Sequence, residues 1–176
     1  MAILIGDAAP AFNLPATDGQ SYTYEDIKGA SGCVVLFWCN HCPYVQGSEG
    51  RLIQLADEYK GRGIGFAAIN ANNPNAYSED DFPHMQQRAE DKGYNFTYLH
   101  DESQETARAF GAQRTPEAFL FDADGKLRYH GRIDDNPQDA GAVRSSDLRN
   151  ALDAVLSGGT PDPAETGPIG CTIKWK

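Results

Sequence analysis

A chain of 176 residues with 15 Lys and Arg against 25 Asp and Glu, for a formal net charge of -10, lacks the clustered basic residues that nucleic acid or an anionic membrane requires. Hydrophobic residues at 40% and charged residues at 23% suit a globular protein with its own core, and no apolar stretch approaches the roughly 20 residues that cross a bilayer. Nucleic-acid and membrane partners are set aside, and the length predicts one domain over 1–176.

In chain order, Asp18-Gly19 predicts a short hairpin, followed by a helical turn between Tyr22 and Lys28. Cys33 to Trp38 is a continuous run of β-forming apolar residues, the pattern of a strand covered on both faces. Val45, Leu52, Leu55, Ala56 and Tyr59 then recur at helical spacing, so a helix is expected over 43–60, with Pro43 in its first turn and Gly61 and Gly63 at its end. Ile64 to Asn70 reads as a second buried strand. Ser78 is expected to cap a helix reaching about Lys92, with Pro83 near its first turn.

A third strand is predicted over 96–100, and a helix from the region of Asp101 and Gln104 to Gly111. Two strands, 117–122 and 127–132, are joined through Asp124-Gly125. Ser145 or Ser146 caps a last helix to Leu156, and 157–176, rich in Gly and Pro, is expected to be an irregular tail packed on the domain. This order specifies an α/β fold around a mostly parallel sheet with one antiparallel edge, whose chemistry sits at the strand C-termini.

Cys39-Asn40-His41-Cys42 stands at that position, directly after a strand and before a helix. Two sulfurs at this spacing can close a small ring, and the unpaired N–H groups of a first helical turn stabilise a thiolate, the attacking form. Four cysteines, at 33, 39, 42 and 171, are too few for a disulfide scaffold. The start, Met1 to Asp7, lacks the basic flank of a secretory signal, so a cytoplasmic location is expected. In such a compartment C-x-x-C is read as a redox dithiol or as a metal site through Cys39, His41 and Cys42, with Cys171 or His100 added; the missing second ligand pair weighs against metal. No cofactor is expected. Cys33, inside the strand, is a core thiol.

Three blocks carry a family resemblance: Phe37 to Val45, Arg114 to Asp135, and the tail Pro168 to Trp175. With them the chain resembles the thioredoxin-like superfamily, in its peroxiredoxin-like branch of alkyl hydroperoxide reductase and thiol-specific antioxidant proteins. The resemblance implies a thiol-disulfide oxidoreductase with Cys39 attacking and Cys42 resolving. It implies that Pro116 of the Thr115-Pro116 pair is cis and faces the dithiol, and that 71–100 holds an inserted helix and strand. Expected partners are protein or small-molecule disulfides and a thiol reductant, with hydroperoxides if the protein is an antioxidant peroxidase. Against the peroxidase, Val35 and Cys39 stand where that family has Pro and Thr. His41 is expected to support the Cys39 thiolate, Arg114 to supply positive charge beside the dithiol, and Cys171 to resolve or relay to it. Arg132, Asp134 and Asp135 read as a solvated turn.

Overall fold

The computed structural model describes residues 2–176. A hairpin of β1 (Asn13–Pro15) and β2 (Ser21–Thr23) leads into the single turn α1 (Tyr24–Ile27), capped by Thr23 and Asp26 reciprocally. β3 (Gly32–Phe37) follows, with all its residues buried, then α2 (Pro43–Lys60) and β4 (Ile64–Asn70), both with the bounds that spacing predicted. The next helix differs. Ser78–Asp80 forms a separate 3-10 turn, and α3 (Phe82–Asp91) starts afresh because the Asp81 carboxylate accepts from His84 N at 3.0 Å, leaving Pro83 in the first turn where its missing N–H costs nothing. β5 (Thr97–His100), α4 (Glu105–Phe110), the two-residue β6 (Arg114–Thr115), β7 (Glu117–Asp122), β8 (Leu127–Gly131) and α5 (Asp147–Leu156) complete the order up to the tail.

The central sheet runs β5-β4-β3-β7-β8. β5, β4 and β3 are parallel, whereas β7 is antiparallel to β3 and β8 to β7, so the sheet is mixed and its antiparallel half reaches the central strand. The chain leaves β5 through α4 and the loop over 111–116 and enters β7 beside β3 from the opposite end. Alternation along β3 explains its unbroken apolar sequence. Cys33, Val35 and Phe37 enter one core with Phe110, Phe119 and Phe121, while Val34, Leu36 and Trp38 enter the other with Leu52, Leu120 and Leu148. The tail also gains order: β9 (Cys171–Thr172) pairs antiparallel with β6.

A buried network fixes the residue ahead of the C-x-x-C. The Trp38 indole donates to Tyr94 OH at 3.1 Å, Tyr94 OH donates to Glu49, and Arg88 holds both Glu49 oxygens at 2.6 and 2.7 Å. Removing the cation leaves Glu49, with a side chain only 8% exposed, inside the protein without its charge partner and with only Tyr94 OH donating to it. Arg88→Met is therefore expected to lower unfolding stability by about 3 kcal/mol, the lower end of what breaking a buried pair costs. Urea titration measures it; a loss below about 1 kcal/mol would place the pair with ordinary surface bridges. Asp134 is likewise no solvated turn residue, since it is 4% exposed and takes Arg51 Nε at 2.7 Å, while Arg132 reaches Asp147 at 2.6 Å.

Candidate active site

Trp38 N–H donates to Ile69 O at 2.8 Å, extending the β3 pairing by one residue and delivering Cys39 at the end of the sheet. The chain then turns through Asn40 and His41. Pro43 occupies the first turn of α2, so Cys42 is its N-cap, in extended conformation at φ -156° and ψ 123°. The first turn of α2 therefore begins directly after Cys42, whose side chain makes no cap hydrogen bond.

The turn is held from outside its own sequence. Asp80, fully buried, accepts from Asn40 N at 2.7 Å, His41 N at 3.1 Å and Asn72 Nδ2 at 3.0 Å. Tyr98 OH donates to Asn40 Oδ1 at 2.8 Å, and Gln46 Nε2 donates to Asn40 O at 3.0 Å. Because Asp80 consumes the two amides of the turn, Cys39 has neither for its own sulfur. Asp80 and Asn40 are functional-site residues that sequence reasoning missed; the Ser78-Glu79-Asp80-Asp81 run was legible only as helix-start chemistry.

Across from the dithiol stands the loop between α4 and β7. The Thr115–Pro116 bond is cis, with Thr115 Oγ1 3.4 Å from Cys39 Sγ and Thr115 O 3.5 Å from Cys42 Sγ. Buried Glu117 fixes this loop, its Oε1 accepting from Gln113 N at 2.8 Å and Arg114 N at 2.9 Å. Arg114 is exposed and donates to Gly170 O at 3.1 Å, so it secures the tail. The His41 ring is exposed and lies against Tyr77, centroids 4.7 Å apart, and no hydrogen bond joins it to either sulfur among the described residues. Cys33 is a core thiol pushed up to about 12 by burial. His100 stacks on Phe82, and among the described residues no three His, Cys, Asp or Glu side chains converge as a cation site.

The sulfurs divide one proton unequally. The Cys42 thiol is drawn down to about 5, first by the hydrogen bond from Cys39, with Cys171 and the Val45 N–H adding to it against the opposing effect of burial. Cys39 is held well above the ordinary thiol value by that same bond, then by burial and the Asp80 carboxylate. The two thiols therefore titrate as one pair sharing a proton, the Cys42 side drawn down and the Cys39 side pushed up. This differs in direction from the sequence expectation of a lowered Cys39 thiol, and the first reason is the hydrogen bond between the two sulfurs.

A dithiol at a strand end, whose second cysteine is the N-cap residue of a helix and whose two sulfurs face a cis-proline loop, defines a redox protein of thioredoxin-like fold. The chain belongs to the AhpC/TSA family, whose model matches residues 5–130. Among curated relatives, thiol-disulfide oxidoreductase ResA of Geobacillus thermodenitrificans is 25% identical over 127 residues, 72% of this chain and 68% of that protein. Thiol:disulfide interchange protein DsbE of Allochromatium vinosum is 30% identical over 131 residues, 74% of this chain and 67% of that one, so the chain spans about two thirds of such relatives. The crystal structure of an uncharacterized conserved protein from Geobacillus kaustophilus superposes with TM-score 0.93 at 41% identity, covering 98% of this chain and 93% of its own. A hypothetical protein from Sinorhizobium meliloti gives TM-score 0.93 at 37% identity, covering 100% and 97%. The protein is a thiol-disulfide oxidoreductase of this family.

Proposed function

We propose that Cys39 and Cys42 are the exchanging dithiol, with Cys42 the resting thiolate and Cys39 the sulfur that closes the ring. The observation that carries this is Thr115, which touches both sulfurs, at 3.4 and 3.5 Å, while Cys42 caps α2. In the reducing direction the Cys42 thiolate attacks one sulfur of a disulfide presented to it: a Cys42 mixed disulfide forms, the original S–S bond breaks, and the other sulfur leaves with the first electron pair. Cys39 then attacks Cys42 Sγ, the Cys39–Cys42 bond forms, and the substrate sulfur leaves with the second electron pair. Consumption of the Cys42 anion removes the hydrogen bond that mainly kept the proton on Cys39, so the second step is promoted by the first. The substrates proposed are protein or small-molecule disulfides, with a thiol as reductant. Cytoplasmic residence is part of the proposal, supported by cysteine usage.

The test oxidises the wild-type protein with diamide, maps its disulfides, and follows dithiothreitol-linked reduction of insulin. A Cys39–Cys42 bond together with turnover is the expected result; oxidation that leaves both cysteines open to alkylation would overturn it. An antioxidant peroxidase is a second reading, favoured by Cys42 alone, because a low-pKa thiolate at a helix start also suits a hydroperoxide. Val35 and Cys39 in place of Pro and Thr, and an Arg114 turned to Gly170, oppose it. Hydrogen peroxide consumption by the reduced protein separates the two.

A further inference from the structure

The exchanging pair has no outward face. Cys39 is 0% and Cys42 1% exposed, and the open groove beside the turn is lined by Asn40, His41, Gln46 and Arg88 without either sulfur. Disulfide exchange nevertheless requires one sulfur to meet an incoming one. Cys171 is the remaining sulfur at this site, and it is partly exposed.

Its placement is built by the fold. β9 sets Cys171 directly opposite Thr115, the residue that already touches Cys39 and Cys42. Gly170 permits that approach, since a Cβ there would lie 2.1 Å from Thr115 O. Ile173 N donates to Gln113 O at 3.0 Å, Lys174 N donates to Asn72 Oδ1 at 2.9 Å, and Lys174 O accepts from Asn73 N at 2.7 Å. Cys171 packs against the buried cluster that holds Cys39 and Cys42. The tail is thus a fixed wall of the site, and it ends the buried sulfur pair with a third sulfur at the surface.

We propose that Cys171 is the outward sulfur of a three-sulfur relay, through which the buried Cys39–Cys42 pair exchanges electrons with an external thiol. The inference rests on the dithiol reading above. In the oxidised protein, deprotonated Cys171 attacks Cys42 Sγ. A Cys42–Cys171 bond forms, the Cys39–Cys42 bond breaks, and Cys39 takes the electron pair and a proton. An external thiolate then attacks the partly exposed Cys171 at Sγ, forming a mixed disulfide and releasing Cys42 as a thiolate. A second external thiolate attacks the external sulfur of that mixed disulfide and frees Cys171, which is reprotonated. Two thiols have become one disulfide, and the protein has gained two electrons. The low pKa of Cys42 makes it the better leaving group, which directs attack to Cys171. Run backwards, the same steps reduce an external disulfide.

Two variants test it. Cys39→Ser, treated with one equivalent of diamide, quenched in acid, alkylated and digested without reductant, should yield a Cys42–Cys171 linked peptide pair; recovery of both as alkylated thiols would overturn the relay. Cys171→Ser should still form the Cys39–Cys42 disulfide with diamide, yet be reduced by glutathione about tenfold more slowly or worse, because the accessible sulfur is gone. Reduction of that variant at the wild-type rate would also overturn it, with the dithiol reading intact. If neither wild type nor Cys171→Ser forms a Cys39–Cys42 bond, the dithiol reading itself fails and the relay falls with it.

Discussion

Cys42→Ser is expected to reduce disulfide exchange to the rate seen without protein, while Cys39→Ser still reacts once and stalls as a covalent adduct or internal disulfide. Cys42 is the N-cap residue of α2, buried in one cluster with Cys39 and with Cys171 packed against it, and its thiol is the one drawn down. A serine hydroxyl there has neither an accessible anion at neutral pH nor a bond to exchange. Cys39, in contrast, faces Asp80 and gives up its proton only after Cys42 has been consumed, so its loss blocks the closing step and leaves the opening one.

The two variants report opposite things about order. Non-reducing electrophoresis and intact mass after addition of a model disulfide read the result directly. An inert Cys39→Ser combined with a trapped adduct on Cys42→Ser would restore the order that family resemblance implied. Both serines fill nearly the volume of the cysteines they replace, so urea midpoints close to wild type separate lost chemistry from lost folding.

Much of this site was legible in the sequence, because the information was local. The unbroken apolar run before Cys39, the helical spacing after Pro43 and the Thr115-Pro116 pair each stand within a few residues of the feature they specify. Pro43 even contained the answer to which cysteine stands at the helix start, since a proline at the first helical position makes residue 42 the N-cap. Asp80 was not legible. Its partners Asn40 and His41 are distant along the chain, and an acid beside Asp81 reads locally as a capping residue; only the return of the 3-10 turn over the sheet end turns it inward. The same limit hid the reach of the antiparallel half of the sheet and the pairing of β9, which depend on where the loop at 111–116 sends the chain. His41 shows the opposite error. Its position within the motif suggested a partner for a sulfur, but once Asp80 takes the His41 N–H the ring faces outward and packs on Tyr77.

The second large effect is on the pH dependence of the redox potential. A thiolate stabilised in the reduced protein favours the reduced state, so the disulfide is the stronger oxidant. With Cys42 near 5, its anion is favoured by about two pH units at pH 7, and at about 30 mV per unit for a two-electron couple this raises the potential by about 60 mV over a fully protonated dithiol. The sign follows through the titration. Between about pH 5 and the much higher Cys39 value, the reduced protein holds one proton on the pair, so the potential falls by about 30 mV per pH unit as pH rises. Below about pH 5 the Cys42 anion is protonated, its stabilisation is lost, and two protons accompany two electrons, giving about 59 mV per unit. Equilibration with glutathione or dithiothreitol buffers from pH 4 to 8, read by alkylation mass shift, should therefore show a break near 5. A line of about 59 mV per unit across the whole range would mean that neither sulfur is ionised, and the helix start would have lost its role in tuning the pair.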